Sequence, residues 1–131
     1  RRVLFRSSGS GSIATSTNTI VNSILDIGNV TTTSSVVQNL SGNGTSSIIL
    51  GSKTLNSTAA NGTFAGNISG AGNLLLSSGT QTLTGANSYT GTTNITGGYL
   101  VIGTGGNIAN SSTVNISFNS SIHDLVTNLG T

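Results

Sequence analysis

The sequence predicts an all-β chain wound as a solenoid, and three observations carry that prediction. Ser, Thr, Asn and Gly make up more than half of the 131 residues, Pro, Cys, Met and Trp are absent, and only 5% of residues are charged, against about 25% in an ordinary globular chain. The apolar residues come in short bursts, SIIL (47–50), LLL (74–76), YLVI (99–102) and TVNIS (113–117), separated by Gly, Asn and Ser, which is the pattern of strands between turns. A unit running apolar, Ser or Thr, Gly, a short link, then a strand recurs in LSGNGTSSIILG (40–51), ISGAGNLLLSSG (68–79) and ITGGYLVIGTGG (95–106). Its starts lie about 28 residues apart, inside the 20–50-residue range of repeat architectures.

Helix and disorder are both disfavoured. Glu and Met are missing, and no stretch sustains apolar residues at i, i+3, i+4 and i+7 between caps. Leu, Ile, Val and Phe form about a quarter of the chain, above the roughly 20% level associated with disorder, and the high net charge of disordered chains is absent.

Along the chain, GSIATSTNTI (11–20) echoes GNIANSSTVNI (106–116) in order, and the three recurring units follow between them. Each unit reads as one turn of a coil. Its strand points alternate side chains inward, and Gly or Asn at the corner accepts backbone angles that other residues resist. One coil cannot bury its inner face alone, whereas coils stacked about 4.8 Å apart pair strand to parallel strand and close a continuous core. Leu83, Ile95, Ile108 and Ile116 are expected inward, with Thr82, Thr84, Thr93 and Thr96 outward. Strand asparagines such as Asn94 and Asn115 are expected to form ladders between coils.

Candidate chemistry is sparse. His123 and Asp124 are the one acid–base pairing; they read as a solvated turn pair, and adjacent strand residues face opposite ways, unlike a mutually oriented dyad. Asp26 has no second carboxylate near it, which argues against a glycosidase pair. With no Cys, one His and no Gly-Gly-x-Gly-x-Asp nonapeptides, neither a zinc nor a calcium site is expected, and no cofactor. GTGGN (103–107) lacks the Lys-Ser/Thr ending of a phosphate loop and reads as a β-turn. Tyr89 is expected to pack a corner and Tyr99 to begin a strand, rather than to stack on sugars or bases. Asn-x-Ser/Thr triplets, including those at Asn29, Asn67 and Asn94, arise by chance in such a composition. No catalytic, cofactor or metal residue is assigned, and a ligand-binding residue is not identifiable. No apolar run reaches membrane-span length, and no charged segment leads into an apolar h-region, so any signal or anchor is expected outside these residues.

Residues 62–108, GTFAGNISGAGNLLLSSGTQTLTGANSYTGTTNITGGYLVIGTGGNI, closely resemble the passenger-associated β-strand repeat of bacterial autotransporters, the type V secreted proteins of the Gram-negative outer membrane. The strongest part is QTLTGANSYTGTTNITGGYLVIG (81–103), with the repeat's leucine strand, its Gly-Ala-Asn-x-Tyr-Thr-Gly corner, its Thr-rich strand and its closing Gly-x-Leu-Val-x-Gly strand. ILDIGNVTTTSSVVQNLSGNGTSSIILG (24–51) is similar to a connecting coil, and the resemblance covers roughly 20–131. It departs from the family at Thr92, where a second Gly commonly follows Tyr-Thr-Gly, which bears on the local turn.

The resemblance implies a right-handed parallel β-helix, here an open-ended fragment, within a secreted surface stalk that supports export and presentation, adheres, and performs no catalysis. It implies an outer-membrane β-barrel translocator of the same polypeptide, outside this segment, as partner, and a host or neighbouring-cell surface as a further contact. The isolated segment, with unpaired strands at both ends, is expected to self-associate. Rival readings are a non-catalytic β-helix segment of a carbohydrate-active enzyme and an aggregation-prone extracellular matrix protein.

Three of the four basic residues, Arg1, Arg2 and Arg6, fall in RRVLFRS (1–7). Nothing in the family resembles that heptapeptide, but it is similar to an in-frame translation of a short-read sequencing adapter, AGA CGT GTG CTC TTC CGA TCT. Residues 1–7 are therefore read as a non-native scar on a fragment assembled from environmental reads, and 8–131 as part of a passenger domain. Lys53 then stands against Asp26 and Asp124, and the basic arm that would suggest nucleic acid disappears.

Overall fold

The computed structural model describes residues 17–117 and, as backbone only, 4–6 and 120–124. The described strands are β1 (Leu4–Arg6), β2 (Asn18–Val21), β3 (Ile24–Asp26), β4 (Ser34–Val37), β5 (Asn39–Gly42), β6 (Ser47–Ile49), β7 (Thr54–Ser57), β8 (Thr63–Phe64), β9 (Asn67–Ser69), β10 (Asn73–Leu76), β11 (Thr80–Leu83), β12 (Thr92–Ile95), β13 (Gly98–Ile102), β14 (Thr113–Ile116) and β15 (Ser120–Asp124). No helix occurs among the described residues.

The strands sort into three sheets that face one another around the coil axis. One runs β1-β3-β6-β9, the second β14-β12-β10-β7-β4, and the third β15-β13-β11-β8-β5-β2. Every pairing is parallel. From β2 to β11 successive strands lie on successive faces, and the chain is a parallel β-solenoid of about five turns. Above β9 the first face continues without a strand, and a single bridge from Ala86 to Asn107 joins its coils.

The inner ranks supply the core. Leu25, Ile48 and Ile68 stack on the first face, Leu55 and Leu74 on the second, and Phe64, Leu83 and Ile102 on the third, all buried. Like stacks on like because parallel neighbours in register place the same side of the pleat over one another.

Three expectations need correction. The coil is not 28 residues long: register partners are separated by 19 residues, as from Thr54 to Asn73, up to 23, as from Ile24 to Ser47. The 28-residue recurrence is one coil plus one face. Its starting residues Leu40, Ile68 and Ile95 sit on the third, first and second faces in turn, because the recurring unit describes a corner and corners are alike on every face. Thr93 is inward, only 1% exposed, since it stands two residues from inward Ile95 on the same strand and period 2 puts both on one side. Ile116 shares the inner rank of Ile95 but is 50% exposed, because β14 is the outermost strand of its sheet. Leu83, Ile95 and Ile108 are buried, Thr82 and Thr84 half-buried and Thr96 exposed, as expected.

Leu4–Arg6 lies along β3 with Leu4 opposite Ile24. A backbone ladder makes no demand on side chains, so this pairing is compatible with any non-Pro residues there.

Candidate functional site

The residues with chemical potential are scattered by the fold. Asp26 ends β3 and its Oδ1 accepts the Gly28 N–H at 2.9 Å, a local turn bond. His123 and Asp124 lie not in a turn but within β15, in register with Val101 and Ile102 of β13; β13 continues as strand to Ile102 and gives β15 a full-length template. No group of three or more His, Cys, Asp or Glu that could hold a metal ion occurs among the described residues. GTGGN forms a turn in which the Gly106 N–H donates to the Gly103 carbonyl at 2.8 Å, with Gly105 at φ +83°. Tyr99 is the second residue of β13, one after Gly98, and faces outward, and Tyr89 is buried at a corner.

Asparagines join the coils, as expected. Asn115 Nδ2 donates to Asn94 Oδ1 at 2.8 Å, and Asn39 Nδ2 to Asn18 Oδ1 at 2.9 Å. Asn67 Nδ2 donates to the Ala86 carbonyl at 2.5 Å in the next coil. Asn73 binds both neighbours: its Nδ2 donates to Thr54 Oγ1 at 3.3 Å, and its Oδ1 accepts the Thr92 N–H at 2.8 Å. That last bond seats Thr92 as the first residue of β12, so the turn needs no second glycine. Gly91 alone is required, since a Cβ there would collide with the Gly72 carbonyl.

The densest polar chemistry is the corner Gly85–Gly91 and the strands on either side of it. Asn87 is buried; its Oδ1 accepts the Ile68 N–H at 3.0 Å from the coil before, and its Nδ2 donates to the Asn107 carbonyl at 3.0 Å in the coil after. Tyr89 OH lies 2.6 Å from Thr93 Oγ1, which lies 2.8 Å from Ser111 Oγ, and Ser111 donates to the Gly91 carbonyl at 2.9 Å. A carbonyl can only accept, so the order that gives every hydroxyl an acceptor runs Tyr89 to Thr93 to Ser111 to Gly91. Burial pushes the Tyr89 phenol up to about 12, outweighing the opposing bonds from Thr93 and Ser111. On the third face Gln81 Nε2 lies 3.1 Å from both the Gly62 and the Leu40 carbonyls, one and two coils back, while its buried Oε1 has no partner among the described residues.

Sequence reasoning singled out none of Gln81, Asn87 and Ser111 as functional. Asn87 was visible as part of the Gly-Ala-Asn-x-Tyr-Thr-Gly corner; Gln81 and Ser111 carry no local signal, because their partners lie a coil or more away.

These features define a class: a parallel β-solenoid whose coils are joined by side-chain amides and hydroxyls as well as by strand ladders. Within it, residues 76–102 match the family model described as the passenger-associated-transport-repeat. The chain thus carries the autotransporter passenger repeat that residues 62–108 resemble, consistent with a secreted role at the cell surface. Comparison with curated proteins and with solved structures returns no match.

Proposed function

We propose that this chain is a stalk segment of an autotransporter passenger, exported through the outer membrane by a β-barrel of the same polypeptide and presenting more distal parts of the passenger at the cell surface. It performs no catalysis of its own. The observation that supports this most directly is the match at 76–102 sitting on a coil bonded to its neighbours on both sides. A solenoid whose coils are joined strand to strand with their neighbours can fold progressively as it emerges, each finished coil templating the one that follows. Low charge and the absence of Cys suit passage through a narrow pore. Adhesion to a host or neighbouring cell would use the uncharged outer faces.

The test is secretion from the parent gene with residues 62–108 deleted. Loss of surface-exposed passenger with the barrel still inserted is expected. Unchanged secretion would remove this segment from the export mechanism.

A further inference from the structure

We infer that the coil bearing the transport repeat is a register lock, in which Gln81, Asn87 and the Tyr89–Thr93 pair hold the coils before and after it in one alignment. This deepens the proposed role in stacking and export, yet it concerns a property of the folded chain that can be read without secretion.

The need for a lock follows from composition. In Gly-rich strands with small polar outer faces, register is weakly specified, and a slip of two residues keeps every inward position inward. The apolar ranks are chemically similar enough to accept such a slip. Buried polar groups are not, because a displaced partner leaves a donor or acceptor without its bond in the dry interior.

The buried polar side chains among the described residues are Ser46, Ser57, Gln81, Asn87 and Thr93. Ser46 and Ser57 donate to carbonyls of the coil before, at Val21 and Gln38. The other three lie within 76–102, on or beside three different faces, and between them reach both ways. Gln81 reaches back to Gly62 and Leu40, Asn87 back to Ile68 and forward to Asn107, and Thr93 forward to Ser111. The orphaned Gln81 Oε1 argues that this arrangement is kept for alignment rather than for stability, since an apolar residue in that rank would carry no such penalty.

The chain has no cysteine, so paired cysteines can report register directly. Thr82 is in register with Val101, and Thr80 with Tyr99. Neighbouring strands lie about 4.8 Å apart, within disulfide reach. A Thr80–Val101 pair is displaced by two residues, which at about 3.3 Å per residue puts its Cα atoms about 8 Å apart and out of reach. With the lock intact, oxidation should join Thr82→Cys to Val101→Cys and leave the Thr80→Cys/Val101→Cys chain open, scored by mass on single chains at low concentration.

Removing the forward contacts of the lock, and with them the Asn87 bond back to Ile68, by Asn87→Leu, Tyr89→Phe and Thr93→Val should let both pairs close in comparable yield. Ile95→Val, which thins the core without touching the lock, should lower the denaturant midpoint and leave the cross-linking pattern unchanged. Cross-linking confined to 82–101 in the triple variant would overturn the proposal. If the triple variant does not fold, the decision passes to Tyr89→Phe/Thr93→Val, where a polar pair is replaced by an apolar one of the same shape. A measurable 80–101 bond there supports the lock, and its absence overturns it. Normal register in these variants combined with failed secretion of the deleted parent gene would sink the lock and spare the stalk.

Discussion

The Tyr89 hydroxyl, buried 2.6 Å from Thr93 Oγ1, begins a hydrogen-bond chain that leaves its own coil at Ser111 of the next and returns to the Gly91 carbonyl. Ionising that phenol would place a charge in the core, which is why burial pushes it up to about 12. An unfolded tyrosine loses its proton near pH 10. Between about pH 10 and 12 the unfolded state therefore binds fewer protons than the folded one, and stability falls as pH rises. At about 1.4 kcal/mol per unit the loss is on the order of 2–3 kcal/mol, fully absent below pH 10. Urea unfolding at pH 9 and pH 11.5 measures it. Tyr89→Phe should flatten this part of the profile, and an unaltered slope in that variant would refute the assignment.

Leu83 is completely buried between Phe64 and Ile102 on the third face. Neighbouring coils are pinned by ladders and cannot collapse into a void, so Leu83→Ala should cost about 2–5 kcal/mol. Chemical denaturation reads this directly; a change near zero would mean that the rank is not the continuous core described.

Gly98 opens β13 at φ +84°, and a Cβ there would strike the Gly79 carbonyl of the coil below. Backbone strain and the clash act together, so Gly98→Ala should destabilise by about 2 kcal/mol or more. Gly44, which has open space around its Cβ position and no positive φ, serves as the control: Gly44→Ala should be neutral or slightly stabilising in the same thermal melt.

Among the described residues β14 is the outermost strand of the second sheet, and its Val114 and Ile116 side chains are exposed. An unpaired apolar strand edge recruits another strand. The isolated chain should accordingly self-associate with increasing concentration in sedimentation velocity. Ile116→Lys should raise the concentration at which this begins, since a charge on an edge opposes pairing. Monomer at millimolar concentration would refute the expectation.

Much of the architecture was legible in the residues. The all-β class, the solenoid, the inward Leu83 and Ile95, the corner role of Tyr89 and the Asn94–Asn115 ladder all follow from alternation, turn chemistry and composition, which are local. Thr93 is legible too, because its parity with Ile95 on one strand puts both side chains on the inner side. The coil length was not legible: corners repeat on every face, so a recurrence of corners measures one turn plus a third rather than one turn. The polar core was hidden for a related reason, since Gln81 and Leu40 meet across two coils and nothing near either residue announces the other.

Taken by itself, the sequence determines that these residues form short strands and tight corners, that a stripe of branched side chains faces inward, and that the transport repeat is present, because backbone preference and side-chain alternation act over a few residues. Only the tertiary structure decided which strand lies over which, that a coil takes 19 to 23 residues, and that Gln81, Asn87 and Thr93 bind the coils on either side. Those are matters of register between strands far apart in the chain, and register is settled when buried donors and acceptors find one another, a condition that no local stretch of sequence can express.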